Sequence, residues 1–171
     1  YAKTIQSAML PSQKSFRTFA EHFVIFRPKD IVSGDFYWTT KVSPPTTSVP
    51  LEKNIKLATN DFLPMKIGKD LNPGDITFIA VVDCTGHGVP GAFMSMIGNT
   101  LLNEIVNGKR IFEPHVILEQ LDKLVKKSLR QDKTENSDGM DMVLCRFQIS
   151  ENKRLLKYSG AKRPLYIMKD S

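Results

Sequence analysis

The chain has 171 residues, and Lys and Arg outnumber Asp and Glu by 24 to 18, for a formal charge of +6. That length suits one domain with its own core, and 41% hydrophobic with 25% charged residues is ordinary for a soluble globular protein. No apolar run approaches the ~20 residues that span a bilayer, and no signal peptide opens the chain.

The basic excess is scattered. Lys109, Arg110, Lys123, Lys126, Lys127, Arg130 and Lys133 follow one helical stretch, while Lys153, Arg154, Lys157, Lys162 and Arg163 surround a hairpin. Without aromatic interleaving these read as solvated faces, which argues against a nucleic-acid partner.

In chain order, "YAKTIQSAMLPS" (1–12) has Ile5, Ala8 and Met9 at helical spacing and closes on Pro11. "HFVIFRP" (22–28) and "GDFYW" (34–38) are strand candidates, with Gly34 marking a close approach or bulge. Residues 40–76 are interrupted by five prolines, and only "IKLAT" (55–59) reads as extended, so this segment is expected to be an inserted loop or flap. "ITFIAVVD" (76–83) is a buried strand. Apolar residues from Ala92 to Val106 recur at helical spacing before Gly108, with Gly98 available for close helix–helix packing.

Glu113-Pro114 opens a second helix, whose stripe is Ile117, Leu121, Leu124, Val125 and Leu129. Strands are expected at 140–149, 154–160 and 164–168, with turns at 151–153 and 161–163. Strands, two helices, then strands is not a βαβ alternation, so the expected class is α+β.

Cys84 and Cys145 lie in apolar strand contexts without a CxxC spacing or a nearby His. They are expected to be buried, reduced thiols, which points to a reducing, cytoplasmic setting. Met94, Met96, Met140 and Met142 read as core residues.

The chemistry concentrates in "VVDCTGHGVPGAFMS" (81–95). Asp83 ends a buried strand just before a glycine-rich turn. Asp35 follows Gly34, and Asp138 and Asp141 flank a Gly-Met pair at another strand entry. Carboxylates at strand ends around one cleft suit hard cations, and two such ions can activate water against a phosphoryl group. Each aspartate taken alone is more often a cap or turn residue. His87, between two glycines, is either a general acid or a turn residue donating to a carbonyl. The set supports neither a zinc cage nor a nucleophilic triad, and "TGHGVPGA" lacks the lysine of a P-loop.

"IVSGDFYW", "VVDCTGHGVPGAFMSMIG", "DGMDMVLC" and "YSGAKRPLYI", in this order, resemble the bacterial metal-dependent protein phosphatases of the SpoIIE type, within the PPM (protein phosphatase 2C) superfamily. The lead-in "IQSAMLPS" is similar to the helix that joins such domains to a sensor. The resemblance implies a four-layer α-β-β-α sandwich of two antiparallel sheets flanked by helices. It implies the end of a linker helix at 1–12 and a phosphatase domain at 20–171, incomplete at its C-terminus, with an insert at 40–76. It further implies two Mn²⁺ or Mg²⁺ ions held by Asp35, Asp83 and the backbone carbonyl of Cys84, with Asp138 or Asp141 serving an accessory ion.

On the same resemblance, Gly34, Gly86, His87 and Gly88 shape the site, and Thr85 stands where eukaryotic relatives carry a histidine. The remaining metal-binding aspartates of the family are expected beyond Ser171, so the 171-residue segment alone is expected to be inactive. The implied reaction is hydrolysis of phosphoserine or phosphothreonine on a regulatory protein of the STAS anti-anti-sigma type. An upstream sensor, a membrane tether through that sensor and a homodimer are all compatible with it. The alternative is a partner-binding module of the same fold without turnover.

Overall fold

The structure, a computed structural model, describes residues 1–12, 15, 22–44, 74–150 and 153–168. Helix α1 (Ala2–Met9) is followed by strands β1 (Phe36–Val42) and β2 (Ile76–Cys84) and helices α2 (Gly88–Asn103) and α3 (Pro114–Ser128). Strands β3 (Met140–Ser150) and β4 (Lys153–Ala161) complete the order. The four strands form one antiparallel sheet in the order β1-β2-β3-β4. The α+β layering with an antiparallel sheet is therefore present. The second sheet of the expected sandwich is not among the described residues.

Strand β2 shows why the sheet has two unlike faces. Its β-branched run favours extended backbone, and every second residue (Ile76, Phe78, Ala80, Val82 and Cys84) is buried. The residues between them point the other way, and Val81 and Asp83 are exposed. Helices α2 and α3 cover the buried face. Leu102, Ile105, Val106 and Ile117 are fully enclosed against Phe78 and Leu144 in one core. Burial of each such side chain contributes roughly 1.5–3 kcal/mol.

Gly98 permits this contact, because a Cβ there would lie 2.9 Å from the Phe36 ring and 3.1 Å from Met140 Cε. Its role is thus helix-on-sheet packing and not the helix–helix contact expected from the sequence. Helix α2 starts earlier than expected and runs into a π-helical turn at Glu104–Gly108.

Helix α3 begins where Glu113-Pro114 predicts, with Pro114 in the first turn. Glu113 also accepts from Arg146 Nη1 at 2.5 Å and from Lys157 Nζ at 2.9 Å. This ties the helix start to β3 and β4.

Several expectations are corrected. Residues 22–28 and 164–168 form no strand among the described residues; Phe23, Ile25, Tyr166 and Met168 are largely exposed. An alternating pattern makes a strand only where a neighbouring edge supplies hydrogen bonds. Strand β1 begins at Phe36 and continues to Val42, which pairs with Ile76, so the connection spans 43–75 rather than 40–76. "IKLAT" and the turn residues Glu151 and Asn152 lie outside the described residues.

After β4, Lys162 makes only an isolated bridge to Met142, in place of a second hairpin. In α1, Ile5 is partly exposed and Gln6 is buried, because the glutamine amide is hydrogen-bonded on both its ends. Cys84 and Cys145 are free and buried, and Met94 and Met142 lie in the core, as the sequence indicates.

Candidate functional site

The antiparallel register brings carboxylates together. Asp83 is the residue directly opposite Asp141 on β3, and both follow the face turned away from the helices. Asp35 immediately precedes Phe36, whose register partner Val82 immediately precedes Asp83. Asp35, Asp83 and Asp141 therefore stand in one row across the ends of three strands, although they come from three distant parts of the sequence. Burial, followed by the charge and hydrogen bonding of neighbouring Asp83, holds the Asp35 carboxyl above its ordinary range, and the charge of Arg163 partly offsets this.

Bare backbone packs tightly around Gly34, the residue before Asp35. A Cβ on Gly34 would lie 2.6 Å from the Gly86 carbonyl and 3.1 Å from the Cys84 carbonyl. A Cβ on Gly91 would lie 2.6 Å from the same Gly86 carbonyl and 2.9 Å from Gly34 Cα. Neither Gly34 nor Gly91 has space for a side chain. Gly86 (φ 85°) and Gly88 (φ 59°) also adopt the left-handed conformation that glycine tolerates best.

The Cys84 side chain faces the core. Burial, with smaller contributions from Asp35 and Asp83, pushes its thiol up to about 12, so only its carbonyl is suited to a cation.

The segment before Asp35 is clamped. Gln6 Nε2 donates to the Ser33 carbonyl at 2.6 Å and to Ser95 Oγ at 3.0 Å, and the Ser33 N–H donates to Gln6 Oε1 at 2.9 Å. The Asp35 N–H donates to Ser33 Oγ at 3.0 Å. One amide from α1 thus joins the Asp35 loop to α2.

Other candidates lie apart from the row or serve it differently. Asp138 accepts from Thr85 Oγ1 and from Asn136 Nδ2, each at 2.8 Å, and so braces the turn before β3. His87 occupies the N-cap position of α2, with Nδ1 2.7 Å from Asp30 Oδ2, and its side chain is 68% exposed.

Sequence reasoning did not single out Gly91, Gln6, Asp30 or Arg163. A third glycine within "GHGVPG" was the available signal for Gly91. Nothing local marks the other three, since each acts through a residue at least 27 positions away.

The donor set consists of oxygens only, which suits Mg²⁺ or Mn²⁺ rather than a soft metal. In number it is partial: among the described residues, no group of three or more His, Cys, Asp or Glu is placed to hold an ion. Arg163 Nη2 is ion-paired with Asp83 Oδ2 and lies 3.7 Å from Asp141 Oδ2.

The antiparallel sheet backed by helices matches part of a PP2C domain. The SiaA-PP2C domain of Pseudomonas aeruginosa superposes with a TM-score of 0.64 at 28% identity, over 95% of this chain and 51% of that one. The family model for Stage II sporulation protein E (SpoIIE) matches residues 73–171, more than half of the sequence, and the chain belongs to that family. It spans about half the length of the solved domain it matches. No curated protein sequence matches it. Among the described residues, no helix is long and apolar enough to cross a membrane.

Proposed function

We propose that the protein is a divalent-metal-dependent serine/threonine protein phosphatase, with Asp35, Asp83 and the Cys84 carbonyl as metal ligands and Asp141 as the adjoining carboxylate. The observation that carries this reading is the register that sets Asp35, Asp83 and Asp141 in one row, next to the close backbone contact of Gly34, Gly86 and Gly91. Two neighbouring carboxylates repel when ionised, and a divalent cation is the natural neutraliser. The chemistry such ions supply is activation of water and neutralisation of phosphoryl charge.

The chain's own contribution is placement. Strand register sets the aspartates in a row, Gly34 leaves room for the Cys84 carbonyl, and Gln6 ties down the entry to Asp35. Among the outer candidates, Asp141 is favoured over Asp138 for an accessory ion, because Asp138 is engaged by Thr85 and Asn136.

The proposed substrate is a phosphoserine or phosphothreonine on a regulatory protein of the STAS type, in the cytoplasm, with an upstream sensor acting through α1. Membership of the SpoIIE family supports this, and the +6 charge suits a phosphorylated partner. Hydrolysis of para-nitrophenyl phosphate by the full-length protein, with and without Mn²⁺, tests the reaction. Turnover that requires Mn²⁺ is expected; turnover indifferent to chelation contradicts it. A second reading, a partner-binding module without turnover, draws on the ion pair that Arg163 makes with Asp83. Stable binding of a phosphorylated STAS protein without phosphate release would favour that reading.

A further inference from the structure

Arg163 belongs to no element of the sheet, yet the structure fixes it against the carboxylate row. Lys162, just before it, takes the left-handed conformation (φ 55°) and bridges Met142 on β3. The Tyr158 hydroxyl donates to the Arg163 carbonyl, and Gly160 leaves room for that contact, because a Cβ there would overlap both partners. The bend thus delivers the guanidinium to Asp83, with Asp141 Oδ2 3.7 Å away, while Lys162 Nζ lies 3.6 Å from Asp141 Oδ1. One half-exposed guanidinium therefore faces both Asp83 and Asp141.

We propose that Arg163 is the counter-cation of the metal-free row and the phosphoryl-binding residue of the metal-loaded one. The inference rests on the phosphatase reading above. With a cation held by Asp83, the guanidinium would have to leave that carboxylate, because both would compete for the same oxygens and repel one another. The displaced side chain stays tethered at the site by the Tyr158 and Lys162 contacts. The anion then nearest to it is the substrate's phosphoryl group, whose oxygens match the planar fork of guanidinium donors. Arginine is suited to both duties because it stays charged at any working pH.

The test compares Arg163→Ala and Arg163→Lys with wild type in the full-length protein. Mn²⁺ affinity is read by calorimetry, and KM, kcat and inhibition by inorganic phosphate are read with para-nitrophenyl phosphate. In Arg163→Ala, Mn²⁺ binding should tighten several-fold. KM and the inhibition constant for phosphate should rise about tenfold or more, as for loss of a charge-assisted hydrogen bond, with kcat little changed. Arg163→Lys should fall between, since it keeps the charge without the fork, and it serves as the reading if the alanine variant fails to fold.

Either unchanged Mn²⁺ affinity or unchanged phosphate inhibition overturns the proposal while leaving the phosphatase reading intact. A folded wild type that neither binds Mn²⁺ nor turns over substrate overturns both.

Discussion

Asp83 on β2 and Asp141 on β3 are direct cross-strand partners, two like charges facing one another at the end of the sheet. Such a pair is unfavourable by itself, by roughly 0.2–1 kcal/mol. It stands beside Asp35, and a cation, Arg163, lies over it. An arrangement that costs stability unless a positive charge is present is what a cation-binding edge requires.

Mn²⁺ should therefore stabilise the folded protein, by ~2.7 kcal/mol at about 100 times its Kd. In the full-length protein, Asp83→Asn should remove that stabilisation and reduce metal-dependent hydrolysis to background. The fold should survive, because Asp83 is half-exposed. Denaturant titrations with and without Mn²⁺, beside the hydrolysis assay, check this; an active Asp83→Asn protein would sink the ligand assignment.

Gly91→Ala should destabilise the protein by about 1–3 kcal/mol, the usual range for overpacking. Its added methyl would press on the Gly86 carbonyl and the Gly34 backbone, neither of which is the free end of a side chain. Gly139→Ala is the control: nothing lies within 4 Å of a Cβ there, and the effect should stay within about 0.5 kcal/mol. Equal losses for the two variants would show that the glycine junction is not as tight as described.

Gln6→Leu should cost about 2–3 kcal/mol, because the N–H and carbonyl of Ser33 both lose their partner in a buried setting. It should also weaken Mn²⁺ binding, since Ser33 leads directly into Gly34 and Asp35. Calorimetry on this variant, at a temperature where it remains folded, separates the two effects. Unaltered Mn²⁺ affinity would confine Gln6 to a structural role.

Alkaline pH should destabilise the fold through its thiols. Burial pushes Cys145 up to about 11, and burial with nearby Asp35 and Asp83 pushes Cys84 up to about 12, from an ordinary 9.0. Below pH 9.0 both thiols are neutral folded or unfolded, so their contribution is fully present. Above it the unfolded chain ionises first and binds fewer protons than the folded one. Stability then falls as pH rises, by up to about 1.4 kcal/mol per pH unit for each thiol. Urea titrations at about pH 8 and about pH 10 should show the loss, and Cys145→Val should reduce it. A slope unaffected by that substitution would exclude Cys145 as its source.

Much of this protein was readable from local pattern. The apolar, β-branched run at residues 76–83, the helical stripe from Ile117 to Val125 and the Glu113-Pro114 start each report on neighbours within a few residues, and each element formed where expected. The glycine turn behind Asp83 was also legible, since positive φ at Gly86 and Gly88 is a local property.

What local pattern could not supply was pairing. Residues 22–28 alternate as a strand should, yet no neighbouring edge among the described residues takes them up. Asp138 and Asp141 are equivalent in sequence. Only the β2–β3 register puts Asp141 opposite Asp83, while Thr85 and Asn136 engage Asp138. Gln6 and Arg163 likewise gain their roles from Ser33 and Asp83, 27 and 80 residues away. The sequence by itself determined which residues could form strands, turns and cation-loving carboxylates, because those properties belong to side chains and nearby backbone. The tertiary structure alone decided which of them meet, because strand register and close backbone contact are fixed by the burial of the whole core.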